Sequence, residues 1–195
     1  MNAIINYIMH HITSMIVTFV IIVISYFIVR KKPQQKTVTK LSVFDFDDTL
    51  CEAVGTYELD RDLAKFKKDN TFVNNLKTKT LPILNILLSD LKENDCKVVI
   101  QTAREEKWWL PLILLCKGIS YHYLIQRGRG VTTSSDLLKK QQLEEFIETN
   151  NLQNVRVFFY DDQRKNLERV SQIRNTIVFD SNIINKNRSF IDLTK

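Results

Sequence analysis

Six residues combine reactive side chains with telling positions: Asp45 and Asp47 in "SVFDFDDTLC", Thr102 closing "CKVVIQT", Lys139 in "SSDLLKKQQLEEF", and Asp161-Asp162 closing "VRVFFYDD". Carboxylates serve as nucleophiles, proton carriers and hard metal ligands, while a lysine and a hydroxyl suit an anionic substrate group. Asp45, Asp47 and Asp48 stand at the end of the apolar run through Val43 and Phe44. Acids so placed repel one another and resist desolvation, so their position asks for a chemical reason.

Each piece alone has an ordinary reading. The acidic string suits a solvated turn, a threonine after an apolar strand is commonplace, and Lys139-Lys140 suits a wet helix face. Asp161-Asp162 suits a helix N-cap. Their order and placement change the balance, because each set falls at a strand end or near a helix start. In an open α/β sheet, ligands sit beyond the carboxyl ends of the strands.

The elements follow from the apolar pattern. Strands are expected at "KLSVFDF", "CKVVIQT", "YHYLIQR", "VRVFFYD" and "NTIVFD". Helices are expected over 80–94, 104–117, 134–149 and 163–173. Pro111 should kink or divide the second of these, and Ser134 or Thr133 should cap the third. Alternating strands and helices predict a parallel sheet with helices on both faces. No internal repeat or low-complexity tract interrupts the pattern.

Hydrophobic residues make up 44% of the chain and charged residues 26%, enough for a real core and against wholesale disorder. The net charge of +6 is uneven. Residues 1–40 carry five bases and no acid, leaving 23 bases and 22 acids in the remainder, or +1. A body so close to neutral gives little support to nucleic-acid binding. Cys51, Cys96 and Cys116 form no CxxC pair and no zinc pattern, and read as reduced thiols of a cytosol-like compartment.

Residues 12–29 contain no charge, and the apolar stretch reaches back to Ile8. At about 1.5 Å per residue, that stretch spans roughly 33 Å, enough for a bilayer core. Neither a basic region before it nor a small-residue cleavage site marks it as a signal peptide. Arg30-Lys31-Lys32 follows directly, which places the body on the cytosolic side of a single-pass membrane anchor. The organisation expected is an anchor at 1–29, a basic linker at 30–40 and a catalytic domain at 41–195.

The ordered set of polar residues over roughly 40–180 resembles the haloacid-dehalogenase (HAD) superfamily of phosphotransferases. "DFDDT" meets its first motif, "VVIQT" its second, a lysine its third and "YDD" its fourth. The stretches "YLIQRGRGVTTSSDLLKKQQLEEFI" and "VRVFFYDDQRKNLERV" look most like the phosphatase halves of phage-type polynucleotide kinase-phosphatases and viral HAD-like proteins. "TAR" at 102–104 fits that branch loosely. The resemblance implies a Rossmann-like HAD fold and a Mg²⁺-dependent phosphatase. It makes Asp45 the nucleophile and Asp47 the general acid and base, with Thr102 and Lys139 holding phosphoryl oxygens. The metal set it implies is Asp45, Asp162 and the Asp47 carbonyl, with Asp161 beside them orienting the lysine. Lys139 is preferred over Lys140 because Lys139-x-x-x-Leu143 matches the family's spacing. Asp48 has no family role and reads as a turn acid; Thr49 reads as a stabiliser of the loop.

Residues 51–79 leave room for a flap and a short insert, a minimal cap, which in this superfamily goes with macromolecular substrates. The expected partner is therefore a phosphorylated macromolecule, a protein before a nucleic acid, met by a membrane-tethered enzyme. A polynucleotide 3′-phosphatase and a weakly active, nucleocapsid-associated scaffold are the rivals. No GxxxxGK[ST] sequence is present to supply a kinase half. Trp108 and Trp109 read as core or interface before base-stacking surface. "RGRG" at 127–130 reads equally as a phosphate contact through Arg127 and Arg129 or as a solvated loop.

Overall fold

The computed structural model describes residues 37–54 and 70–187. All of them except Thr37 belong to one compact unit. The anchor expected at 1–29 and residues 30–36 of the linker fall outside the described residues. Among those described, no helix is long and apolar enough to cross a membrane.

Five parallel strands form one sheet: β1 (Lys40–Phe44), β2 (Cys96–Glu105), β3 (Tyr123–Arg127), β4 (Arg156–Asp161) and β5 (Thr176–Asp180), ordered β3-β2-β1-β4-β5. The helices described are α1 (Phe72–Lys77), α2 (Leu84–Asp90), α3 (Leu110–Cys116), α4 (Ser135–Thr149), α5 (Arg164–Val170) and α6 (Ser181–Lys186). All five expected strands form, and the fold class is the α/β one that the alternation implied. β1 lies at the centre, pairing in register with β2 on one side and β4 on the other.

Period-two alternation in β1 feeds two cores, because successive side chains leave a strand on opposite faces. Leu41 and Val43 join Val99, Val157, Phe159, Leu143 and Leu167, on the side of α4 and α5. Phe44 joins Val98, Ile100, Leu87, Ile113 and Tyr160, with α2 and α3. The Phe44, Tyr160 and Phe179 rings stack in succession across β1, β4 and β5, with centroids 4.5 and 4.9 Å apart. Register explains the stack, since Phe44 opposes Tyr160 and Tyr160 opposes Phe179. Burying such a side chain is worth about 1.5–3 kcal/mol.

Residues 104–109 depart from the sequence expectation. The helix expected from 104 begins at Leu110, because β2 runs on to Glu105 and pairs there with Arg127 after a register shift. Pro111 lies in the first turn of α3, where its fixed φ and missing N–H are tolerated, so it starts the helix and does not kink it. Trp109 is buried in the core beside Leu110, while Trp108 is 76% exposed. α1 and α6 were not anticipated; each has six residues and a side-chain cap, Thr71 accepting from the Asn74 N–H and Asp180 from the Asn182 N–H.

Candidate active site

Asp45 and Asp161 come together because they end neighbouring strands. The Asp45 N–H donates to the Tyr160 carbonyl at 2.9 Å, which places Asp45 just beyond the end of β1. Lys139, in the first half of α4, reaches between the acids. Its Nζ lies 2.8 Å from Asp45 Oδ1 and 2.6 Å from Asp161 Oδ2. All three side chains are at most 5% exposed. Gln101 helps to set the height of α4, donating from Nε2 to the Lys139 carbonyl at 2.9 Å. Lys140 faces outward instead, toward Gln172 and Glu144.

Asp161 is saturated. Besides Lys139, it accepts at Oδ1 from the Gln163 N–H and from Asn166 Nδ2, both at 2.9 Å. Its geometry therefore suits holding Lys139 better than holding a cation. Asp162 differs: its Oδ1 is buried with no hydrogen-bond partner. An orphaned buried carboxylate oxygen is costly and calls for a positive partner.

The electrostatics follow from this crowding. Ligand oxygens of Asp45, Asp161 and Asp162 all lie within 4.8 Å of one another. Three ionised carboxylates against one ammonium leave a deficit of −2. Burial works against the Lys139 ammonium, but Asp45 and Asp161 outweigh it and hold its pKa above the ordinary value. Burial pushes the Asp45 carboxyl well up, opposed by Lys139 and reinforced by the neighbouring acids. Burial and then Asp161 push Asp162 up to about 7. A divalent cation would supply the missing charge, and hard carboxylate oxygens are the donors that Mg²⁺ prefers. The residues fit that ion, with Asp45 and the unpartnered Asp162 as its carboxylate ligands.

Asp47 is elsewhere engaged. Its side chain is not among the three gathered acids. Arg104 grips it from two nitrogens, Nε donating to Oδ2 at 2.6 Å and Nη2 donating to Oδ1. Arg104 is 5% exposed and lies over the Phe46 ring, 5.0 Å from its centroid. Its Nη1 donates to Asn70 Oδ1 at 2.8 Å and to Asn75 Oδ1. Sequence reasoning noted "TAR" only as a loose likeness and assigned Arg104 no role. The signal was a basic residue two positions past a strand end that could equally have begun a helix.

Thr102 is buried, and its hydroxyl accepts from the Arg104 N–H at 3.2 Å. Thr49 shares a 3.0 Å hydrogen bond with the Ser181 hydroxyl, tying the loop after β1 to α6. Asp48 sits at φ 51°, a conformation Asp tolerates, and its Oδ1 accepts from the Ala53 N–H at 2.8 Å. Arg127 is occupied by its own loop, donating to the carbonyls of Ala103, Val131 and Thr133. Cys51, Cys96 and Cys116 are all free.

No family model matches the sequence, and no curated protein matches it. Solved structures do match the fold. A chain of the Pnkp1/Rnl/Hen1 complex superimposes with a TM-score of 0.56 at 17% identity, over 77% of this chain and 48% of that one. This chain thus spans about half the length of that neighbour. A putative phosphatase from Clostridium difficile gives 0.55 at 14% identity, over 74% and 86% of the two chains. A haloacid dehalogenase-like hydrolase from Streptococcus pneumoniae gives 0.54 at 10% identity, over 73% and 84%. The fold is that of the HAD superfamily hydrolases.

Proposed function

We propose that the chain is a HAD phosphatase that hydrolyses phosphomonoesters through an aspartyl-phosphate on Asp45. The observation that carries this reading is Lys139 held between Asp45 and Asp161, beside the unpartnered oxygen of Asp162. An Asp45 oxygen attacks phosphorus as the bond to the leaving alcohol breaks, and Asp47, turning one oxygen away from Arg104 to carry a proton, gives that proton to the alcohol. Water then attacks phosphorus, Asp47 takes its proton, and the bond to Asp45 breaks to release phosphate. An ammonium has three N–H donors; two face carboxylates here, and the third serves a phosphoryl oxygen. Thr102, three residues before the end of β2, contributes its hydroxyl.

Mg²⁺ is the cofactor that the acids suit, held by Asp45 and Asp162 with the Asp47 carbonyl. Bound there, it neutralises charge on the phosphoryl group and on the nucleophile.

The substrate is a large one, since only 51–79 separate the first-strand loop from α2 and little chain is available to close over a small molecule. A phosphoprotein is preferred because the body carries only +1 beyond residue 40. A polynucleotide 3′-phosphate is the second reading. It is favoured by the likeness to a chain of the Pnkp1/Rnl/Hen1 complex, which a second matching structure describes as an RNA repair complex. The uncharged stretch at 12–29 supports a single-pass anchor with the body facing the cytosol.

The test is turnover by the full chain with Mg²⁺ on phosphopeptides and 3′-phosphorylated oligonucleotides side by side. Hydrolysis of neither, by wild-type protein of native stability, overturns the reading. Retention of the chain in membranes after a carbonate wash tests the anchor, and its release sinks that part.

A further inference from the structure

We propose that Asn75, in the short insert between β1 and β2, is a positioning residue for Asp47, acting through Arg104; this rests on the phosphatase reading above. Asn75 is fully buried in a helix of only six residues, a place where an unexplained amide is unfavourable. Every polar atom of its side chain is engaged. Nδ2 donates to Asn70 Oδ1 at 2.8 Å and to the Thr71 carbonyl at 2.7 Å. Those two acceptors fix which end of the amide is which. Oδ1 is thereby turned to the Arg104 guanidinium, which donates to it from Nη1.

The guanidinium is a rigid plane, so holding one edge orients the other. Asn70 and Asn75 take the Nη1 edge, Phe46 lies against the face, and Asp47 takes the Nε and Nη2 edge. Asp47 follows β1 without being part of it, and its side chain is a quarter exposed. Without a fixed partner such a side chain samples several rotamers. General acid–base catalysis needs the proton-carrying oxygen within hydrogen-bond reach of the leaving oxygen, and small misplacements there are expensive. A six-residue helix with one buried asparagine accordingly sets the geometry of a carboxylate that it does not touch.

Two properties separate this role from simple support of the insert. Proton donation matters most for poor leaving groups, so loss of Asp47 geometry should depress kcat/KM for phenyl phosphate more than for p-nitrophenyl phosphate. In Asn75→Asp, which is nearly isosteric and draws the guanidinium toward a new carboxylate, we expect the ratio of the two kcat/KM values to fall by roughly tenfold. That is a fraction of the 10²–10⁴ that such catalysis supplies. The same substitution in an Asp47→Asn background should leave the ratio unchanged, because residues acting in series are not additive. Asn75→Ala should repeat the pattern, and thermal melts of both variants show whether each is folded. Equal loss on both substrates, or an undiminished effect without Asp47, overturns the proposal.

A second readout distinguishes its failure from that of the phosphatase reading. The Arg104 Nε–H resonance of labelled full-length protein should be protected from exchange in wild type and lose protection in Asn75→Ala. Unchanged protection overturns the positioning role whether or not the wild type turns over. Absence of turnover with protection lost removes the phosphatase reading while leaving Asn75 as the residue that orders Arg104.

Discussion

Lys139 Nζ lies 2.6 Å from Asp161 Oδ2, and that same carboxylate accepts from Asn166 and from the Gln163 N–H on its other oxygen. The lysine is thus aimed at Asp45 by an acid whose own orientation is fixed by α5 and the turn before it. A pair buried this deeply costs much to break from either side, because the survivor is left charged and unpaired.

Lys139→Met should therefore remove activity and destabilise the fold by about 3–5 kcal/mol. Lys140→Ala, whose partners are Gln172 and Glu144 at the surface, should stay within about 0.5 kcal/mol of wild type. Denaturant melts of the two variants check this. Equal effects would remove Lys139 from the site.

Asp45→Asn should lower turnover by at least about 10³-fold, equivalent to ~4 kcal/mol of barrier, because an amide cannot form the acyl phosphate. Acid-quenched protein from labelled substrate should carry phosphate in wild type and none in the variant. Near-normal turnover in Asp45→Asn would end the nucleophile assignment.

The pH dependence of stability carries a sign opposite to that of a salt-bridged acid. Burial and then Asp161 push the Asp162 carboxyl up to about 7, against 3.8 as the ordinary value. Between those pH values the folded state holds a proton that the unfolded state has lost, so this group's contribution falls as pH rises. In chelator, wild type should lose stability relative to Asp162→Asn from about pH 4 to pH 7. At neutral pH, Mg²⁺ should raise the melting temperature of wild type with concentration and leave Asp162→Asn unmoved. A hundredfold excess over Kd corresponds to about 2.7 kcal/mol. A wild type indifferent to Mg²⁺ that hydrolyses no phosphomonoester would favour a scaffold that kept the fold.

Thr49→Val keeps the shape of the loop after β1 and strips the Ser181 hydroxyl of its buried partner. Stability should fall by about 1–3 kcal/mol. Thr49→Ser, which restores the oxygen, should recover most of it. A Thr49→Val chain as stable as wild type would show that the contact contributes nothing.

The sequence by itself determined the five strands of the sheet, though not where β2 ends. The apolar runs in "KLSVFDF" and "VRVFFYD" are local signals, so Asp45 and Asp161 could be placed at the ends of buried strands before any contact was known. Which of two adjacent lysines enters the site is a different kind of fact. Neighbours on a helix point about 100° apart; the family resemblance favoured Lys139 through its spacing to Leu143, and the packing of α4 against β2 and α5 brings its ammonium between Asp45 and Asp161. The same holds for Trp109 in the core with Trp108 outside. Arg104 shows the limit most clearly. Its stretch could begin a helix, and only pairing of Glu105 with Arg127, far along the chain, keeps β2 extended. The grip on Asp47, and the asparagines behind it, then depend on parts of the chain 57, 34 and 29 residues apart. Local periodicity reports which face of an element is buried; it carries no term for what another element brings to that face, and tertiary packing supplies it.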